Sequence, residues 1–220
     1  MTESVHTENK ISMDGVFMFK LMRKLFFVGL LVVAFLCGSV WSDKMTLSDG
    51  LIRMHVVANS DDAQDQEVKL KVRDAITEYL SAAMEKLPDM ESAKAFIKDK
   101  LQTLQNLAND VLIAAGVTDR AVISLTREAF PTRQYDTFSL PAGVYESLRV
   151  TIGEGKGQNW WCVVFPSLCI SATSESFEDT AVGAGFSDTL AGTLTGQRPY
   201  RVRFFLLDCI GWVENWLSQK

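Results

Sequence analysis

Residues 51–80 read LIRMHVVANSDDAQDQEVKLKVRDAITEYL, and their reading decides the fold. Leu51 to Ala58 is short, apolar and β-branched, with Arg53 and His55 on alternate positions, which is the pattern of a strand. Asn59-Ser60-Asp61-Asp62 then supplies helix N-caps, with carboxylates suited to the positive end of a helix dipole. From Ala63 to Met84, Val68, Val72, Ala75, Ile76, Tyr79 and Leu80 recur three and four apart, so one face of a helix is apolar. Lys69, Lys71, Arg73, Asp74 and Glu78 fall mostly off that stripe, and Pro88 ends it.

Working outward, a second helix is expected from the Asp89–Ser92 region to Ala115, with Ile97, Leu101, Leu104, Ala108, Val111 and Leu112 inward and Gly116 as its C-terminal stop. The pattern then turns to strands: Arg120–Thr126, a short one over Asp136–Leu140, Tyr145–Ile152, which is open to a helix as well but is read as a strand, and Trp160–Phe165. Pro131 and the Pro141-Ala142-Gly143 turn punctuate them. Residues 171–199 are rich in Ser, Thr, Gly and Asp with weak periodicity, and are expected to be a loop or flexible excursion. Tyr200–Leu217 is apolar and is expected to pack back as a strand or helix. The fold class is α/β in the α+β sense: a single domain with two N-terminal helices on a mainly antiparallel sheet.

On the N-terminal side, Leu25–Ser42 is an 18-residue run without a charge, preceded by Lys20, Arg23 and Lys24. A basic flank before an apolar run engages the export machinery. Small residues at Cys37 and Ser39 suit cleavage, while the run sits at the short end for crossing a bilayer of roughly 30 Å. Residues 1–42 are therefore read as a signal peptide or a membrane anchor, and residues 43–220 as the exported domain. That domain carries 18 Lys and Arg against 24 Asp and Glu, a net charge of −6. With an acidic balance and no basic stripe, nucleic acid is not an expected partner.

Gly153–Cys169, GEGKGQNWWCVVFPSLC, offers three chemistries. As a phosphate cradle it fails, because Lys156 is followed by Gly157-Gln158 where a nucleotide loop needs a hydroxyl, and the following segment is β-like. A tight loop using glycine's freedom at positive φ is the simpler reading. As a metal site it fails on spacing and on the scarcity of ligands, His55 being the single histidine of the exported part. No metal and no cofactor is expected. Cys162 and Cys169 are the natural disulfide pair in an oxidising exterior, with reduced thiols or a reactive cysteine as the alternatives, and Cys209 is left over. A Cys162–His55 dyad would require a free Cys162 and adjacency in space. Trp160 and Trp161 face opposite sides of a strand, so either both faces are covered or one indole is an exposed contact anchor. Catalysis is disfavoured.

Ile52 to Asp61, Asp65-Gln66, Lys69 to Ala75, Leu140 to Gly143, Tyr145 to Val150 and Gly153 to Cys169 together resemble the stage II sporulation protein R family. The resemblance covers roughly residues 50–170. It implies an exported signalling protein of endospore formation, made in the forespore and released into the space between forespore and mother cell. There such proteins activate the membrane-embedded aspartic protease that processes pro-sigma-E, and they are not enzymes. The N-terminal segment supplies a membrane contact. The expected partner-facing residues are Arg53, His55, Asn59, Gly155, Lys156, Asn159, Trp160 and Trp161, with Gly153–Trp161 as a rigid, Trp-bearing hairpin. Competing readings are an exported cell-envelope hydrolase and a membrane-anchored structural protein of the septum.

Overall fold

The computed structural model describes residues 3–135, 137–166, 174–196 and 201–218. Two compact units are present, residues 1–42 and 43–220. Helix α1, Glu3–Gly50, contains the first unit's described residues and contributes its last two turns to the second. In the first unit the apolar run is helical, and Met18–Gly50 is long and apolar enough to cross a membrane. Leu25, Phe26, Leu31 and Phe35 each present more than half of their surface. This is the form of a signal peptide or anchor.

The second unit is a single domain built on β1, Ile52–Val57. Two helices follow it, α2 (Ala63–Met84) and α3 (Met90–Ala114). The Asp89 carboxylate caps α3 by accepting from the Ser92 amide at 2.8 Å. Next come β2 (Ala121–Phe130), a two-residue ladder of β3 (Arg133–Gln134) with β4 (Ser139–Leu140), then β5 (Gly143–Ile152) and β6 (Asn159–Phe165). The main sheet runs β2-β5-β1-β6. β2–β5 and β1–β6 are antiparallel and β1–β5 is parallel, so the sheet is mainly antiparallel, as its sequence suggests.

Strand alternation divides the sheet's side chains between two faces. Ile52, Met54, Val56, Ile123, Leu148, Val150, Ile152, Cys162 and Val164 point towards α2 and α3, where Val72, Ile76, Leu80, Ile97, Leu104, Ala108 and Leu112 meet them. All six residues of β1 are buried, since helices cover one face and something else covers the other.

Three expectations change. The 171–199 stretch, expected as a loop, carries α4 (Ser174–Gly183) and α5 (Asp188–Leu194). The Ser187 side chain caps α5, and Leu190, Ala191 and Leu194 are buried, so packing outweighs a composition poor in helix formers. The short strand expected over 136–140 is only Ser139–Leu140, and Asp136 lies outside the described residues. Gly153–Trp161 is not the turn of a hairpin, because β1 lies between β5 and β6 and pairs with both. The C-terminal stretch is a helix, α6, Arg201–Ser218.

Candidate functional site

The eight expected site residues fall into three places. Arg53, His55 and Trp161 share the sheet face turned away from α2 and α3. Asn59, Gly155, Lys156 and Asn159 sit at the end of the sheet where β1 and β5 finish. Trp160 is on the helix side, its ring 4.3 Å from the Arg73 guanidinium. It is 40 % exposed, on β6 at the edge of the sheet.

At the sheet end, the residues after β1 hold the glycine loop in place. The Asn59 carbonyl accepts from the Lys156 amide (3.1 Å) and the Ala58 carbonyl from the Gly157 amide (3.0 Å). The Asn59 side chain accepts from the Glu154 amide (2.9 Å) and donates to Asp65 (3.1 Å). Asp65 also accepts from the Ser60 hydroxyl at 2.7 Å, the Asp61 carboxylate accepts from the Gln158 amide at 2.7 Å, and Lys69 donates to the Gln158 carbonyl at 3.0 Å. A β-carbon on Gly157 would lie 2.2 Å from the Ser60 carbonyl oxygen, so only glycine allows this approach. Asn59 is thus a brace beneath the loop, and Gly155, within it, turns the chain at φ 63° with its amide donating to the Ile152 carbonyl at 3.1 Å. Lys156 is at its crest, 74 % exposed and paired with Glu154 at 2.6 Å.

The sheet face is a cluster of aromatic rings and charges. Arg53 is fully buried, its guanidinium 4.2 Å from the Phe130 ring centre and 5.0 Å from that of Tyr145. Its Nη2 donates to the Tyr135 hydroxyl at 3.3 Å, while Nε and Nη1 have no hydrogen-bond partner. A cation kept from water this way rests largely on ring quadrupoles. His55 stacks on Trp161, with centres 5.0 Å apart and 17° between planes. Its Nε2 lies 2.7 Å from Glu128, which also pairs with Arg149 at 3.3 Å. Burial alone would raise the Glu128 pKa, but the hydrogen bond and charge of His55, assisted by Arg149, hold it down at about 2. Arg133 lies 4.6 Å from the Trp161 ring, closing the cluster over β6. Burial pushes the Tyr145 phenol well above its ordinary pKa, and its hydroxyl donates to the Pro141 carbonyl.

Glu128, Arg133 and Tyr135 belong to this face, and sequence reasoning passed over them. Alternation in β2 could have found Glu128, since Ala121, Ile123 and Leu125 face the helices and even-numbered positions face away. The Cys162–His55 dyad is not made: Cys162 points to the helix-covered face and His55 to the other. Cys169 lies outside the described residues. Among the described residues, no group of three His, Cys, Asp or Glu side chains is placed to hold a metal ion.

The residues that bracket the loop and those that line β1 come from stretches about a hundred positions apart, yet they form one unit around the end of a single strand. The sequence profile described as stage II sporulation protein R matches residues 48–175. The chain belongs to the stage II sporulation protein R family. A Bacillus subtilis (strain 168) protein named stage II sporulation protein R is 34 % identical over 125 residues, covering 57 % of this chain and 56 % of that protein. The chain therefore aligns with little more than half of that relative's length. No solved structure matches. Membership gives the chain a role in sporulation, and the matched residues hold β1 to β6 and both helices of the core, whereas α5 and α6 lie beyond them.

Proposed function

We propose that this member of the stage II sporulation protein R family is an exported signal of endospore formation. It is made in the forespore, crosses the forespore membrane on the strength of its N-terminal segment, and activates the mother-cell membrane protease that processes pro-sigma-E. It acts as a ligand and not as a catalyst. A disulfide between Cys162 and Cys169 clips the end of β6 in the oxidising space outside the cell.

One observation supports this reading above others: the stretches that match the family converge on a braced loop and a charged aromatic face, not on a nucleophile with its base. Such a surface suits recognition, because braced side chains lose little freedom on binding. The partner-facing set is then Lys156, Asn159, Trp160 and Trp161, with Glu128, Arg133 and Arg149 at the rim. Arg53, His55 and Asn59 position them from beneath, and Gly155 turns the loop that carries Lys156.

The test is reconstitution of the chain with the membrane protease and its pro-sigma substrate. Trp160→Ala and Trp161→Ala should fold, as read by far-ultraviolet circular dichroism, and should each lower processing. Full processing by both folded variants would remove this surface from the interface. Normal sigma-E maturation in a strain lacking the protein would overturn the signalling role itself.

A further inference from the structure

Helix α6 has an inner side that is firmly fixed and an outer side that the signalling reading does not use. On the inner side Leu207 is fully buried, and a β-carbon on Gly211 would lie 1.6 Å from the Ala142 carbonyl oxygen, so helix backbone rests directly on the turn before β5. Asp208 accepts from the Ala142 amide (2.8 Å), Asn215 donates to the Phe130 carbonyl (2.8 Å), and Glu214 pairs with Lys44 at 2.9 Å. The outer side presents Phe205, Leu206, Trp212, Val213, Trp216 and Leu217, with Trp212 69 % exposed, and exposed Cys209 lies among them. At 3.6 residues per turn these positions occupy an arc of about 140°. No charged residue falls within it; Arg203 and Glu214 lie beyond one edge, Asp208 and Asn215 beyond the other. An apolar stripe of this size on a soluble surface marks a contact.

The chain's own connectivity says what the contact is. Arg203 pairs with Asp43 and Glu214 with Lys44, the two residues that directly follow the Leu25–Ser42 run. The helix containing that run is long and apolar enough to cross a bilayer. α6 is therefore tied to the point where the chain leaves the apolar segment. We propose that the outer face of α6 lies in the interfacial layer of a lipid bilayer, as a second membrane contact beside the N-terminal segment. Tryptophan favours that layer, where its ring is in apolar surroundings and its N–H meets polar headgroups. The exported part is acidic, so the contact is apolar and aromatic, works on uncharged lipid and resists salt.

The experiment uses the full chain carrying Cys37→Ser, with a nitroxide on Cys209, in vesicles of phosphatidylcholine; a Cys37→Ser/Cys209→Ser chain corrects for labelling elsewhere. The Cys209 label should collide with dissolved oxygen and be shielded from an aqueous nickel chelate, and this should persist at about 1 M salt. A label at Ile113→Cys on the exposed side of α3, in the doubly substituted background, should show the reverse. Trp212→Glu/Trp216→Glu should return the Cys209 label to the aqueous pattern. The proposal is overturned if Cys209 matches Ile113→Cys, if the double substitution changes nothing, or if spin–spin broadening shows that a second copy covers the stripe.

Discussion

The two faces of the central sheet are made to different standards. Towards α2 and α3 the core is mainly aliphatic, with one Lys94–Glu146 pair at 2.5 Å and Trp160 against Arg73 beside it, and the side chains from β1, β2, β5 and β6 meet helix residues at ordinary core positions. The other face is as well buried at β1, yet it encloses Arg53 and His55 among Phe130, Tyr145 and Trp161. Aliphatic packing there would stabilise the sheet at least as well, since buried charges repay their desolvation poorly. Stability therefore accounts for the first face and leaves the composition of the second for the proposed recognition role to explain.

The largest effect should come from the helix-covered face. Leu104 is fully buried in α3, and Leu104→Ala should cost about 3 kcal/mol, read as a shift in the urea midpoint. Arg53→Met on the opposite face should change stability by no more than about 1 kcal/mol, because an apolar side chain of similar length replaces a guanidinium with unpaired nitrogens. The same variant should lower sigma-E processing by about tenfold or more, equivalent to about 1.4 kcal/mol of recognition. A stability loss as large as that of Leu104→Ala would erase the distinction between the faces.

The smallest effect is a pH dependence confined to the charged face. Glu128 has a folded pKa of about 2 against an ordinary 4.5. A depressed carboxylate contributes stability above its unfolded pKa and loses it as pH falls through the folded one. The thermal midpoint should thus decline from about pH 4.5 towards about pH 2, and Glu128→Gln should flatten the part of that decline that Glu128 supplies. An identical slope in the variant would show that the pair with His55 is not formed in solution.

The same division explains what the sequence makes legible. The aliphatic face is written in periods of two and 3.6, and α2 begins and ends where the spacing of Val68, Val72, Ile76 and Leu80 requires. Arg53 and His55 alternate with apolar residues as they would on a solvent-facing strand, and nothing local indicates that they are buried; that follows from Phe130, Arg133, Tyr135 and Tyr145, far along the chain. The hairpin expected at Gly153 fails for a related reason. Adjacent strands with a short turn ordinarily pair, but the edge of β1 competes for β6, and the brackets from Asn59 and Asp61 hold the connection across the end of β1. α5 escapes notice because Leu190, Ala191 and Leu194 span too few turns to establish a period. In the site, the loop and its two tryptophans are visible in the sequence, whereas the division between surface contacts and buried braces is purely tertiary.

The position of β1 has a consequence for a protein that crosses a membrane N-terminus first. β1 is the first strand of the sheet to emerge, and its two neighbours are β5 and β6, the last strands in the chain. Its backbone groups cannot all be paired until residue 165 has passed through. The closure of so long a loop comes late in folding. On the proposed export route, the order of strands would act as a delay, keeping the domain threadable during transit and completing the face around Arg53 and His55 only after β6 has crossed.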